Sequence, residues 1–381
     1  MPMTVMPVYG TRPEAIKMAP IVQGLDAADG IDCVPVVTGQ HREMLDQVNG
    51  VFGIVPKVDL DIFAHGQGLE AVTARTLERL TPVLVEHRPD VVVVQGDTTS
   101  ALAAGLAAFY RKIPVVHVEA GLRTASIASP FPEEGNRRLL TQITSLHLAP
   151  TPVSRDNLLR NGVAREDIVV TGNTVIDALL DVTSRPRPFD VPSLARAQEP
   201  GRRVVLVTSH RRESWGDPMR RTARAVARLA VERPETLFVL PLHANPLVRE
   251  IFVPVLGSIP NVLLTDALSY TDFATLTALA EVVLTDSGGV QEEAPSLGKP
   301  VLVLREDTER PEAVEAGTAR LVGTDEDLIV REVGLLLDDR AAYEEMANAI
   351  NPYGDGRAAA RTVAAIEALL GLGERLPDFA G

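Results

Sequence analysis

Four consecutive valines, Val91 to Val94, stand between Asp90 and Gln95 with no polar residue among them. β-Branched residues suit extended chain, and a run without alternation suits a parallel strand covered on both faces. Parallel strands need a crossover between them, usually a helix. The small-residue segment that follows Gly96-Asp97-Thr98-Thr99 and runs to Tyr110 reads as that helix, and Pro114 to Val118 as the next strand. The alternation begins earlier, with strands at Met3–Tyr9 and 31–38 and helices at 15–25, from residue 40 to Phe52, and at Leu69–His87. Further strands are expected at Leu146–Ala149 and Ile168–Val170. Pro7 is awkward inside the first strand, because proline cannot donate to a sheet ladder.

From 185 to 201 the chain is rich in Pro, Arg and Ala and lacks a strong period, as expected near a domain junction. The alternation then resumes, with strands expected at 204–207, 237–240, 262–264, 282–284, 301–304 and 320–322. Helices are expected near 325–337, 340–349 and 358–370. Length agrees: 381 residues are many for one core and natural for two. The chain therefore reads as α/β, with two Rossmann-like doubly wound domains facing across a cleft.

In such sheets ligands sit beyond the carboxyl ends of the strands. Polar clusters in this sequence fall at those ends: Arg12, Gln40-His41, Asp97, Glu119, His210, Ser287 and Arg310. The stretch from Leu284 to Ala313 reads as strand, glycine turn, helix, strand and charged loop. Ser287-Gly288-Gly289 is taken as a turn, with the helical pattern resuming at Gln291 and stopped by Gly298-Lys299-Pro300. Unpaired N–H groups at a helix start attract phosphate, although a tight turn without a ligand has the same sequence. Arg12, Lys17 and Arg310 add cations for a diphosphate. Asp97, Glu119 and Glu133 are candidates for proton transfer, with helix capping the alternative for Asp97 and Glu133. Glu292 and Glu293 oppose a phosphate unless they point away, for instance to ribose hydroxyls. His210 and His243 follow strands, whereas His117 lies inside one and reads as a satisfied core residue.

Several classes are excluded. Aromatic residues make up 4% of the chain and the net charge is −14, which argues against nucleic acid and anionic membranes as partners. Cys33 is the only cysteine, so no disulfide framework or cysteine metal site arises, and no His/Cys/Asp spacing suggests zinc. A reducing, cytoplasmic setting fits, with no signal peptide evident at the N-terminus. There is no GxxxxGK[ST] and no GxGxxG after the first strand, so neither P-loop nor nicotinamide chemistry is indicated and no cofactor is expected.

Assembled in order, GTRPEAIKMAP (10–20), TGQHREMLDQV (38–48), GDTTSALAAGLAAFY (96–110), HVEAGLRT (117–124), SPFPEEGNR (129–137), TSHRRES (208–214), HANPLVRE (243–250), LTDSGGVQEEAPSLGKPVLV (284–303) and ERPEAVEAGT (309–318) resemble the non-hydrolysing UDP-N-acetylglucosamine 2-epimerases. The resemblance spans nearly the whole chain. It implies a GT-B arrangement, with an N-terminal domain of residues 1–170 plus about 358–381, including a crossover helix, and a UDP-binding domain of 171–357. It implies reversible interconversion of UDP-GlcNAc and UDP-ManNAc by elimination of UDP to a 2-acetamidoglucal and re-addition. By this likeness Arg12, Lys17, His210, Ser287, Gly288, Gly289 and Arg310 are phosphate or leaving-group contacts. Glu293 is the ribose ligand and Phe273 lies beside the uracil. Asp97, Glu119 and Glu133 are the acid/base set, and His210 belongs with the catalytic groups. Gln40, His41 and Arg212 match positions near a regulatory substrate site of some members, where Glu43 replaces a glutamine. Residues 125–128 lack a tyrosine often found before Ser129-Pro130. A homodimer and a UDP-sugar substrate are expected partners. The nearest alternatives are a hydrolysing relative that releases ManNAc and a GT-B glycosyltransferase.

Overall fold

The computed structural model describes residues 2–39, 42–62, 64, 66–185 and 187–381, with the side chains of residues 42–44 and 213 left aside. Two compact units emerge. One comprises Met1–Ala178 and Tyr353–Gly381, the other Leu179–Pro352. The first unit keeps residues 171–178 and takes in 353–357 because those segments hold each other. The Asn173 amide donates to the Tyr353 carbonyl at 2.7 Å, and Gly172 packs on Gly354.

The strands of the first unit are β1 (Met3–Tyr9), β2 (Ile31–Cys33), β3 (Val36–Val37), β4 (Val58–Asp59), β5 (Val91–Gln95), β6 (Val115–Val118), β7 (Leu146–Ala149) and β8 (Ile168–Val170). They form one parallel sheet in the order β4-β3-β1-β5-β6-β7-β8, with β2 also on β1. All four valines of β5 are fully buried. Val92 and Val94 pack in a cluster with Leu80, Leu84, Ala104 and Leu140, while the helix Arg12–Asp26 meets the C-terminal helix Ala358–Leu369. Each valine taken out of water contributes about 2 kcal/mol.

The expected second strand, 31–38, is broken at Pro35 into β2 and β3. That break accounts for Pro7, which stays in register with Val93 inside a continuous β1. Along β1, Val5 and Tyr9 accept from Val34 and Thr38 on one side. Pro7 lies between them, so its missing N–H faces the break, where a donor has no ladder to join. The two-residue β4 carries too little pattern to be read from sequence.

The second unit holds β9 (Arg203–Thr208), β10 (Thr236–Pro241), β11 (Val262–Thr265), β12 (Val282–Thr285), β13 (Val301–Val303) and β14 (Ala319–Leu321), all parallel, in the order β11-β10-β9-β12-β13-β14. Numbered within the unit this is 3-2-1-4-5-6, the doubly wound order whose direction reverses between strands 1 and 4. The first unit follows the same plan, with its reversal between β1 and β5. Val205, Val226, Leu229, Phe238, Phe252 and Leu284 belong to the core of the second unit. No helix among the described residues is long and apolar enough to cross a membrane.

Candidate active site

At the reversal point of the first sheet, the turn after β1 delivers Arg12 as the first residue of its helix, and the turn after β5 delivers Asp97. Asp97 does not cap the next helix. Thr98 does so, its hydroxyl accepting from the Ala101 amide at 3.0 Å, which leaves the Asp97 carboxylate for other work. Arg137 donates to Asp97 Oδ2 at 2.8 Å, and Asn136 Nδ2 to the Asp97 carbonyl at 2.8 Å. Both come from the helix Glu133–Ile143 that Glu133 opens. Arg137 also donates to the fully buried Glu134 at 3.1 Å, so one guanidinium spans two carboxylates.

Glu119 follows the adjoining strand β6 and is 8% exposed. Lys17 Nζ lies 2.5 and 2.7 Å from its two oxygens, Gln95 Nε2 donates to Oε2, and Asn173 Nδ2 reaches Oε1 at 3.3 Å. Lys17, read from sequence as a phosphate cation, thus pairs with an acid. The Glu119 backbone is left-handed, with φ of 63°, a conformation that costs a residue with a Cβ about 1–2 kcal/mol. Such strain persists where surrounding bonds over-determine the geometry. Burial pushes the Asp97 carboxyl above its ordinary value, Glu119 adds to the shift, Arg137 and Lys17 oppose it, and Glu133 raises it further. One oxygen of Glu133 is buried without a hydrogen-bond partner. His117 is only half satisfied: Nε2 meets the Gly96 carbonyl at 2.7 Å, while Nδ1 has no partner. Burial lowers its pKa to about 4, so the ring is neutral at pH 7.

The second sheet's reversal point is built differently. Gly288 and Gly289 are not a turn before the helix; they are its first two residues, in Gly288–Glu293, with Ser287 at the N-cap. The first helical N–H groups have no intrahelical partner, those of Gly288 and Gly289 included. The Ser287 amide itself is taken by Thr285 Oγ1 at 2.9 Å. A Cβ placed on Gly288 would lie 3.6 Å from the Arg211 guanidinium and 3.9 Å from that of Arg310, so two cations border this helix start. Glu292 is buried and bonded to Arg310 Nε, whereas a Cβ on Gly289 would lie 3.5 Å from Glu293 Oε1.

Asp286, 0% exposed, ties the two loops of this site together. Its Oδ2 accepts from the amides of His210 at 2.7 Å and Arg211 at 2.9 Å and from Ser209 Oγ at 3.2 Å. His210 Nδ1 lies 3.2 Å from Oδ1. Burial opposes the charge on Asp286, but the bonds from His210 and Arg211 outweigh it and hold the carboxyl below the usual carboxylate range. The His210 ring stacks on His243 at 5.8 Å. Phe273 is half-buried on the helix Tyr270–Leu279, and Arg212 is exposed on a short 3-10 turn. Gln40 and His41 lie outside the described residues.

Five residues of these sites were not marked as candidates from sequence: Gln95, Arg137, Asn173, Arg211 and Asp286. Asp286 carried a signal, an acid at the end of an apolar strand beside two glycines. Asn173 lies in TGNTVIDALL (171–180), a segment that also resembles the family, but nothing in it points to Glu119, 54 residues away. Among the described residues no group of three or more His, Cys, Asp or Glu is placed to hold a metal ion.

Comparison with known proteins gives the lineage. The family model described as UDP-N-acetylglucosamine 2-epimerase matches residues 23–367. The UDP-N-acetylglucosamine 2-epimerase of Escherichia coli K12 is 52% identical over 370 residues, covering 96% of this chain and 98% of its own. A solved structure from Listeria monocytogenes superposes with a TM-score of 0.94 at 43% identity over the full length of both chains. The Neisseria meningitidis enzyme bound to UDP-GlcNAc superposes with a TM-score of 0.84 at 45% identity, covering 97% of this chain and all of that one. A glycosyltransferase of kitacinnamycin shares the fold at 15% identity and a TM-score of 0.63. With a family model spanning most of its length and relatives at half identity, this chain belongs to the UDP-N-acetylglucosamine 2-epimerase family.

Proposed function

We propose that this protein interconverts UDP-GlcNAc and UDP-ManNAc without hydrolysing them, by elimination and re-addition of UDP. The observation that carries the reading is the pair Asp97 and Glu119, set just beyond the ends of neighbouring strands with unlike surroundings. Glu119 is clamped by an ammonium and two amides; Asp97 has its proton affinity raised by burial and by Glu119. Two acids whose environments are pushed apart suit one proton donor and one acceptor.

The C2 hydrogen of the sugar has no adjacent carbonyl to acidify it, so inversion there requires redox chemistry or elimination, and the chain carries no dinucleotide fingerprint. In the elimination, a carboxylate of the first unit takes the C2 proton. The C1–O bond to UDP breaks, and its electrons leave with the diphosphate as the C1–C2 double bond forms. Re-addition reverses the bonds, with a proton delivered to the other face of C2 and the diphosphate oxygen returned to C1. The second unit's task is to hold UDP through both steps. Arg211, Arg310 and the amides of Gly288 and Gly289 suit the diphosphate, Glu293 the ribose, Phe273 the uracil, and His210 the leaving oxygen. UDP-GlcNAc in the neisserial relative supports the choice of substrate.

Incubation with UDP-GlcNAc in heavy water tests the reading. The expected outcome is deuterium at C2 of a sugar still joined to UDP. Stoichiometric free ManNAc at early times assigns the hydrolytic reaction instead, and turnover that demands a sugar acceptor assigns a transferase.

A further inference from the structure

The turns that deliver Arg12 and Asp97 leave two different strands, and their mutual placement is not determined by either strand alone. Glu14 joins them. Its side chain is 2% exposed. Oε2 accepts from the amides of Gly10 at 2.8 Å and Thr11 at 2.7 Å, and Oε1 accepts from Thr98 Oγ1 at 2.6 Å. We infer that Glu14 is a positioning residue for the reaction, its buried carboxylate locking the turn that carries Arg12 to the turn that carries Asp97. The inference rests on the function proposed above.

A helix-capping role explains only part of this arrangement. In a capping box, the glutamate at the third helical position returns to the N-cap amide, here Thr11. The bonds to Gly10 and to Thr98, 84 residues away, lie outside that box. A buried carboxylate is expensive to keep charged: burial pushes Glu14 above its ordinary value while the bonds from Thr98, Gly10 and Thr11 pull it back. Anchoring the helix start alone does not require that cost.

The turns themselves have little slack. A Cβ on Gly10 would sit 1.8 Å from Thr38 Oγ1, so the Thr38 side chain already fills the space a side chain at position 10 would need. Around Asp97, His117 holds the Gly96 carbonyl, Asn136 holds the Asp97 carbonyl, and Glu14 holds Thr98. The second unit repeats the device. Asp286, on the loop after β12, accepts from the amides of His210 and Arg211 on the loop after β9. In both units a buried carboxylate bridges the two loops at the reversal of strand order, although the acid comes from a different loop in each. A feature built twice on unlike sequences points to the shared task of fixing those loops.

The test uses the full chain and three variants, Glu14→Ala, Thr98→Val and Glu14→Gln. It measures kcat, KM for UDP-GlcNAc, deuterium exchange at C2 and the thermal midpoint. Thr98→Val cuts the same bond from the other turn without touching the Glu14 bonds to Gly10 and Thr11; it also removes the cap on the Ala101 amide, a loss that the thermal midpoint reads and that Glu14→Ala does not share. We expect Glu14→Ala and Thr98→Val each to lower kcat about 100-fold with a smaller change in KM, as a displacement near 1 Å does. The double variant should be no slower than the slower single one, because both remove one link. Glu14→Gln should restore most of the turnover, since its amide oxygen accepts from Gly10 and Thr11 and its NH2 donates to Thr98. Wild-type kcat in Thr98→Val, or losses that multiply in the double variant, overturns the inference. Should Glu14→Ala fail to fold, Thr98→Val alone decides. A wild-type protein that moves no C2 proton defeats the proposed function and this inference with it; normal wild-type exchange with unaffected variants defeats this inference only.

Discussion

The two units follow one strand order and arm it with opposite chemistry. Between β1 and β5 the first collects carboxylates, Glu14 and Asp97, with Glu119 just after the next strand, and sets Lys17 and Arg137 against them. Between β9 and β12 the second collects cations and donors, Arg211, Arg310 and a glycine helix start, with Asp286 as its internal anchor. Topology settles where the loops emerge. Side chains settle whether that place moves protons or holds an anion. The proposed function gives proton transfer to one unit and nucleotide retention to the other, and that division can be tested.

The largest effect is expected in the first unit. Asp97→Asn and Glu119→Gln should each lower kcat by about 10²- to 10⁴-fold, the usual worth of a positioned acid or base, while the affinity for UDP stays close to wild type. Calorimetric titration with UDP beside the rate assay checks both halves. Loss of UDP binding in these variants breaks the division of labour.

The complementary change is Arg310→Met. A charge-assisted hydrogen bond lost from the diphosphate should weaken UDP binding about 10- to 100-fold. Exchange at C2 under saturating substrate should suffer less. Because Glu292 would lose its bond to Arg310, Arg310→Met combined with Glu292→Gln separates lost ligand contact from loss of that ion pair.

A finer effect concerns pH. Arg137 lowers the proton affinity that burial and Glu119 raise in Asp97. If Asp97 acts as the base, the rate falls as acid protonates it. Arg137→Met then moves the low-pH limb of the kcat/KM profile to higher pH, and Glu119→Gln moves it to lower pH. An unchanged limb in both variants removes Asp97 from that role.

The smallest effect lies in stability. His117 and His147 pair across β6 and β7, with burial lowering their pKa values to about 4 and about 3. Both are neutral when folded, whereas the unfolded chain takes up their protons below about pH 6.5. Stability present above that value is therefore lost as pH falls, by about 1.4 kcal/mol per unit for each ring until its folded value is reached. Asp286, depressed when folded, loses its contribution only at lower pH, below the usual carboxylate range. Glu14 and Asp97, raised when folded, work in the opposite direction in the same unit, so the histidine share is read from the variant: in denaturant melts at stepped pH, His147→Gln should lessen the loss of stability as pH falls.

Much of this was legible in one dimension. The valine run of β5, the repeated strand-helix spacing and the polar residues at strand ends led to two doubly wound sheets, and nearly every expected strand is present. The misreadings share a cause. Glycines at a helix start look like a turn because propensity describes helix interiors, where every N–H has a partner. Pro7 looks disruptive until Pro35 breaks the neighbouring strand beside it.

By itself, the sequence determined which segments form strands and helices and which strand ends carry polar clusters, because apolar periodicity and turn residues act over a few positions. Family membership followed from the same local segments. Only the tertiary structure decided what each charge does. Lys17 answers Glu119 across 102 residues, Thr98 answers Glu14 across 84, and Asp286 answers His210 across 76. Glu292 and Glu293 are adjacent, yet one is buried on Arg310 and the other lies beside Gly289. Consecutive helical residues point about 100° apart, so their roles depend on what the fold brings to each face.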